Sequence, residues 1–259
     1  MIPIGDSVRS RTFPFINLTI IALNVLVFLY ELTLTTTPQL RGFSDLDQFI
    51  YNWGAIPACL VDWAGGHPDA PQRQLSFFCS QPSNVGLTPF ASLFIHGGWL
   101  HLIGNMIFLW VFGDNVEDAM GHLRYAVFYV IVGLAATAAH IAVSQNDLTP
   151  AIGASGSIAG VLGAYIVLYP RATVTAILPL FLFFWLPFYI PAVFLIGLWF
   201  VLQVFSGIAG LASTDVVGAG GGVAWFAHIG GFVGGVALVR LFMLARPPPA
   251  PAAAPRRRR

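Results

Sequence analysis

The chain has 259 residues, of which 57% are apolar and 9% charged, with a formal net charge of +1. A soluble domain carries about 25% charged residues, so this composition excludes a soluble protein. The balanced charge also leaves no electrostatic footprint for a nucleic-acid partner.

A membrane-spanning helix needs roughly 20 mostly apolar residues, and six candidate stretches follow one another along the chain. The first, 15–34, is too long for a signal-peptide core, and no small-x-small cleavage site follows it, so it is expected to remain as an anchor. A long loop, 35–88, comes next. The following candidates are 90–113, 122–144 and 151–169. The apolar stretch 172–206 is too long for one span and too short for two with a turn. Pro179, Pro187 and Pro191 interrupt it. We therefore predict a connector at or in the interface over 172–186 and a span over 187–206. The sixth candidate is 222–244. The expected architecture is an all-α polytopic membrane protein. Residues 1–14 form a cytoplasmic segment, 15–245 the membrane domain, and the Pro/Ala/Arg tail 246–259 is expected to be disordered.

All 12 basic residues are Arg, and their placement predicts orientation. Arg9 and Arg11 precede the first span, Arg124 lies between the second and third, and Arg171 lies between the fourth and fifth. Arg240, Arg246 and Arg256–Arg259 end or follow the sixth. The opposite loops, 144–149 and 207–221, carry no basic residue. Both ends are thus expected on the cytoplasmic side, which needs an even number of spans. Segment 35–88 then faces outward, and its Arg41 and Arg73 do not weigh against this, because long loops translocate regardless of charge. That segment holds the two cysteines, Cys59 and Cys79. An outward face is oxidising, but whether the two are close enough to pair cannot be read from sequence. The Arg-only, Ala/Pro-rich tail points to a GC-rich, bacterial genome and hence to an inner-membrane location.

Ionisable residues inside a span are expensive and usually functional. All 11 acids fall in loops or at span ends. That removes an aspartyl protease, which needs two carboxylates at depth, and a proton-coupled transporter with an acidic relay. No HExxH is present to hold zinc; a His-only relay or a metal site stays formally open on the residues alone, but no cofactor is expected. The polar residues at depth are His96, His101, Asn105, His140, Ser155 and His228. His96 and His101 are five apart and do not share a helical face.

Ser155 lies 16 residues before Arg171, roughly 24 Å along a helix, and His228 lies 18 residues before Arg246, roughly 27 Å. His101 lies 13 residues before Asp114, roughly 20 Å, so the three sit at a similar level. Asn105 is one turn below His101 on the same face. The fourth span is short, so its N-terminus with Ser155 should lie below the membrane surface. There its free N–H groups need a polar pocket. Ser155, Ala159 and Gly163 form a small stripe, and Gly156 and Gly160 form a GxxxG. On the sixth span His228 shares a face with Gly231 and Gly235, and Gly230 and Gly234 repeat the spacing. Small-xxx-small faces let backbones approach closely, so the fourth and sixth spans are expected to dock and bring Ser155 to His228. A neutral imidazole at His228 can take the serine proton. With no acid as a third member, the expectation is a Ser–His dyad, with His101 and Asn105 as oxyanion donors. Each feature alone also fits ordinary helix packing; the conjunction carries the reading.

HGGWLHLIGNMIFLWVFG (96–113), GASGSIAGVLGAY (153–165) and AWFAHIGGFVGG (224–235) resemble the three signature regions of rhomboid intramembrane serine proteases. DNVEDAMGHLRY (114–125) is similar to the family's second connection. The resemblance implies a six-transmembrane-helix rhomboid-like bundle with a long outer loop between spans one and two. It implies Ser155 as nucleophile, His228 as general base, and His101, Asn105 and the Ser155 backbone N–H as oxyanion donors. Gly153, Gly156 and Gly231 belong to the supporting motifs, and His96 matches a structural outer-loop histidine. The substrates implied are single-span or other membrane proteins, cut within the lipid bilayer, with no nucleic acid and no metal. Segment 207–221, with Gly218 and Gly220–Gly222, would be a movable cap. Some family members carry Tyr four residues after the nucleophile, stacked on the base. Here that position is Ala159, so another ring, from Phe226 or Trp225, must orient His228, or none does. Ser144 and Gln145 are expected to line the water route. The alternatives are a catalytically silent helix-binding scaffold or chaperone of the same family, and a small-solute transporter. The latter lacks the expected internal pseudo-symmetry.

Overall fold

The computed structural model describes residues 1–38, 42–66, 68–69, 78–79, 84–181, 184–212 and 224–243. The chain begins with strand β1 (Ile2–Asp6) and helix α1 (Phe15–Glu31). The segment that follows α1 carries α2 (Asp45–Trp53) and α3 (Pro57–Trp63), then α4 (Thr88–Ala91) between two 3-10 turns. Helices α5 (Trp99–Met120), α6 (His122–Val143) and α7 (Ser155–Leu168) follow. Strands β2 (Thr173–Phe181) and β3 (Phe184–Pro191) precede α8 (Ala192–Ala212) and α9 (Trp225–Met243). Among the described residues three helices are long and apolar enough to cross a membrane, or four if the bent pair Val85–Phe94 and Trp99–Met120 is one span. Helices α1 and α7 are apolar but shorter. At 14 residues, α7 is roughly 21 Å long, against a hydrocarbon core of roughly 30 Å.

Two expectations are corrected. Residues 172–186 do not form a connector within an all-α chain. Strands β2 and β3 pair with each other, and β2 with β1, in a three-stranded sheet, order β1-β2-β3, all antiparallel. Its β-branched and aromatic content favours strand, and proline fits only where a strand has a free N–H side. Pro187 and Pro191 lie on the edge strand, and Pro179 lies beyond the stretch of β2 that β1 covers. The following helix consequently starts at Ala192 rather than 187. The second correction concerns residues 90–98, which turn by 78° before α5 instead of extending it. Gly98, at φ +150, marks the corner.

Helix α9 packs most extensively on α7 and α6. The docking on α7 is backbone to backbone. A Cβ on Gly231 would collide with the Gly156 carbonyl oxygen, and one on Gly235 with that of Gly160. Large side chains would hold the helices apart.

At the far end of α5, its acids hold the start of the chain. Glu117 is fully buried. It accepts the Ile16 and Asn17 N–H groups at 3.0 and 2.7 Å and also bonds His122. These are free donors at the N-terminus of α1, where a carboxylate is favoured. Asp118 accepts from Arg11 and Thr12 at 2.8–3.1 Å. Asp6 accepts from Tyr165 at 2.5 Å and Asn115 at 2.9 Å, tying β1 to α7 and α5. Burial raises the Asp6 carboxyl to about 6, the Tyr165 hydrogen bond working against this and the Asp114 charge with it.

The segment between α1 and α5 has its own small core of Ala55, Ile56, Cys59, Leu60 and Val85. Cys59 and Cys79 are disulfide-bonded, with Cα atoms 5.4 Å apart. Ala55 and Ala151 exchange two backbone hydrogen bonds of 3.0 and 2.9 Å. The long loop thus grips the strand-like stretch that leads into α7. Arg41, Arg73 and the tail 246–259 lie outside the described residues.

Two outcomes are expected. Gly235→Val should destabilise the bundle by about 1–3 kcal/mol through overpacking, lowering the thermal unfolding midpoint in detergent. An unchanged midpoint would contradict the close approach. For Asp6, burial pushes the folded carboxyl up to about 6 from its ordinary 3.8, so the folded state holds the proton more tightly. Its stability contribution is full below the unfolded value and is lost as pH rises through about 6. Unfolding midpoints measured from pH 4 to 7 should fall less steeply in Asp6→Asn than in wild type.

Candidate functional site

Ser155 is the first residue of α7, after Ala154, which supplies no side-chain cap. The first-turn N–H groups therefore remain available beside the hydroxyl, at the positive end of the helix. His228 lies in the first turn of α9. Its Nε2 is 2.7 Å from the Ser155 Oγ. The glycine contacts set this height, because they fix the axial register of the two helices.

The other nitrogen of His228 is engaged as well. Its Nδ1 is 2.6 Å from Oε1 of Gln203 on α8, a side chain only 7% exposed. Sequence reasoning missed Gln203. The available signal was a lone amide in an otherwise apolar run, AVFLIGLWFVLQVF. Two rings flank the imidazole. Trp225 meets it edge-on at 6.3 Å, and Trp199, one turn before Gln203, lies at 5.8 Å and 39°. Trp225 was one of the two rings anticipated; Trp199 was not anticipated. Ala159 is fully buried.

His101 and Asn105 converge on Gly153, two residues before Ser155. A Cβ at Gly153 would lie 2.6 Å from His101 Nε2 and 3.6 Å from Asn105 Nδ2. The Gly97 N–H approaches His101 Nδ1 at 3.4 Å, which leaves the ring hydrogen on Nε2, facing that space. His96 is not remote from this group. Because it precedes α5 rather than lying within it, its ring packs against His101 with centroids 5.0 Å apart. Its Nδ1 faces the Phe94 carbonyl at 3.2 Å, and its Nε2 takes an Asn105 amide hydrogen at 2.9 Å. One Asn105 N–H is thereby held and the other is free. Glu31, buried at the end of α1, accepts the His96 backbone N–H at 3.1 Å.

A cavity of about 190 Å³ opens beside α9, lined by His140, Ser144, Asp147, Thr149, Trp225 and Phe226. Gln145 does not line it. A larger, apolar groove of about 530 Å³ against α1 and α5 holds no titratable or nucleophilic side chain. Among the described residues no group of three metal-ligating side chains occurs. The cap over 207–221 lies largely outside the described residues, Gly218 and Gly220–Gly222 included. The arrangement combines a hydroxyl, an imidazole acceptor and convergent N–H donors, a set that can perform nucleophilic acyl chemistry.

A family model described as Rhomboid domain matches residues 86–245. "RHOMBOID-like protein 5" of Arabidopsis thaliana is 38% identical over 72 residues, covering 28% of this chain and 23% of that protein. "Presenilin-associated rhomboid-like protein A, mitochondrial" of Danio rerio is 31% identical over 114 residues, 42% of this chain and 30% of that one. "Rhomboid-like protease 5" of Toxoplasma gondii is 30% identical over 150 residues, 56% of this chain and 15% of that one. The chain thus spans less than a third of the length of each of these relatives.

Gly153 has φ +116, a region that side-chain-bearing residues rarely adopt. Gly153→Ala should destabilise the protein by about 1–3 kcal/mol through strain and the His101 clash, measured by thermal unfolding in detergent. A wild-type midpoint would mean that the site tolerates a Cβ.

Proposed function

The chain belongs to the rhomboid family, and on that premise we propose that it is an intramembrane serine endopeptidase acting on membrane-protein substrates. The observation that carries this reading is the 2.7 Å hydrogen bond between Ser155 Oγ and His228 Nε2. It sits at the end of a short helix with free N–H groups beside it.

In the proposed mechanism Ser155 Oγ attacks a peptide carbonyl carbon while its proton passes to His228 Nε2. The oxyanion forms in the space before α7 and receives hydrogen bonds from His101 Nε2, the free Asn105 N–H and the Ser155 backbone N–H. The intermediate collapses, His228 protonates the departing amine, and an acyl-enzyme remains on Ser155. Water then enters through the cavity that Ser144 lines and attacks the acyl carbon while His228 takes its proton; the bond to Ser155 Oγ breaks, His228 returns the proton to Oγ, and the acid is released. A helical substrate shields its own carbonyls, so it must unwind locally. Helix-breaking residues and a small residue at the cut site follow from that.

We read α1, α5, α6, α7, α8 and α9 as the six membrane segments. The arginine distribution supports cytoplasmic positions for the segments flanking them. The Cys59–Cys79 disulfide supports an outward, oxidising position for the loop. The site then opens to the outer face. The Arg-only composition supports a bacterial inner membrane.

The test uses purified protein with a fluorophosphonate probe and a model transmembrane substrate. Labelling and cleavage are expected in wild type and lost in Ser155→Ala and His228→Ala. Asn105→Ala should lower kcat about 10²–10³-fold. Cleavage that persists in Ser155→Ala would overturn the mechanism. A folded wild type that neither labels nor cleaves would favour a helix-binding scaffold.

A further inference from the structure

A serine–histidine pair works only if the imidazole presents a bare nitrogen to the hydroxyl. The 2.7 Å contact alone does not decide this, since either tautomer of His228 can hydrogen-bond a hydroxyl. The deciding group must lie on the other ring nitrogen, and there Gln203 Oε1 stands at 2.6 Å. An amide oxygen only accepts, so Nδ1 must carry the hydrogen and Nε2 must be bare.

We propose that Gln203 is the positioning residue of the base: its amide oxygen holds the Nδ1–H of His228 and turns the free Nε2 lone pair toward Ser155. The inference rests on the protease reading for its consequence, though not for its geometry. Among the described residues the titratable groups facing His228 are His101 from α5 and His140 from α6, and neither makes a hydrogen bond to it. An amide suits this depth. A carboxylate in the same place would have to be desolvated, a cost of several kcal/mol in low dielectric, whereas an amide selects the tautomer without placing a charge in the span. Trp199, one helical turn from Gln203, flanks the ring at 5.8 Å. Helix α8 thus supplies both the acceptor and one wall, which leaves position 159 free to be an alanine packed in the core. His228 is therefore held by a neighbouring helix rather than by a ring on the nucleophile's own helix.

The arrangement extends the serine–histidine pair from two helices, α7 and α9, to a third, α8. Any displacement of α8 away from α9 would release the tautomer before it disturbed the serine. Gln203 is thus the point at which α8 acts on the chemistry, and it acts through His228 without touching substrate.

The experiment records imidazole nitrogen-15 shifts of His-labelled protein in bicelles, alongside kcat and KM for a transmembrane substrate. His228→Ala assigns the resonance. Wild type should show His228 protonated at Nδ1. Gln203→Leu should shift it toward the Nε2–H form and lower kcat roughly 10- to 100-fold, with KM little changed. Gln203→Glu keeps an acceptor oxygen and should retain the Nδ1–H signature. A His228 protonated at Nε2 in wild type, or a Gln203→Leu protein with unchanged tautomer and kcat, would overturn the proposal. If Gln203→Leu fails to fold, the wild-type tautomer still decides. The tautomer is read independently of turnover. A wild type with the expected tautomer but no cleavage would therefore sink the protease reading and leave the positioning role standing.

Discussion

The backbone contact between α7 and α9 is the constraint on which the site depends. Lipid tails are as apolar as leucine, so helices in a membrane are not driven together by burial of apolar surface. They associate through close packing and hydrogen bonds. Here glycines provide the packing: the carbonyls of Gly156 and Gly160 occupy the space that Cβ atoms on Gly231 and Gly235 would fill. This fixes axial register as well as separation. A slip of one helical turn would move His228 by about 5.4 Å, twice the length of the bond it makes to Ser155. The glycines therefore carry the geometry of the chemistry although none of them has a side chain to offer it.

Polar groups obey a second constraint. A buried donor or acceptor in this environment has no water to fall back on, and a network of polar groups hydrogen-bonded to one another forms at each end of the bundle. At one end the acids of α5 take the free N–H groups of α1, and Asp6 ties the sheet to Tyr165 and Asn115. At the other end, Glu31, His96 and Asn105 form a chain that terminates in the site. The segment between α1 and α5 contributes there too. Its disulfide-bonded core grips Ala151, and from Ala151 the backbone passes through Gly153 to Ser155. The long loop, which the sequence offers no reason for, thus buttresses the backbone leading to Ser155.

What the sequence resolved and what it left open follow the reach of each interaction. The helices were legible because apolar run length and arginine placement are local properties. The pairing of α7 with α9 was legible because small residues recur at helical spacing on both. The β2–β3 pair was not, since its prolines identify a broken span without saying that residues 2–6 would return to pair with it. His96 was separated from His101 by a helical-wheel argument that fails once the chain turns at Gly98. The cysteine pairing stayed undecided until the fold brought Cys59 and Cys79 together. The family resemblance rested on the three motif regions and the stretch 114–125, and said nothing of Gln203, which belongs to none of them.

By itself, the sequence determined that this chain lives in lipid, which hydroxyl and imidazole stand at matching depth, and which helix faces are bare enough to meet. Each is a property of one segment and its spacing. Only the tertiary structure decided how the imidazole is held. That depends on Gln203 and Trp199 from a helix whose rotation and height no local pattern records, and on rings and amides meeting across three segments far apart in the chain. A side chain's neighbours along a helix follow from 3.6 residues per turn; its neighbours across helices follow only from packing.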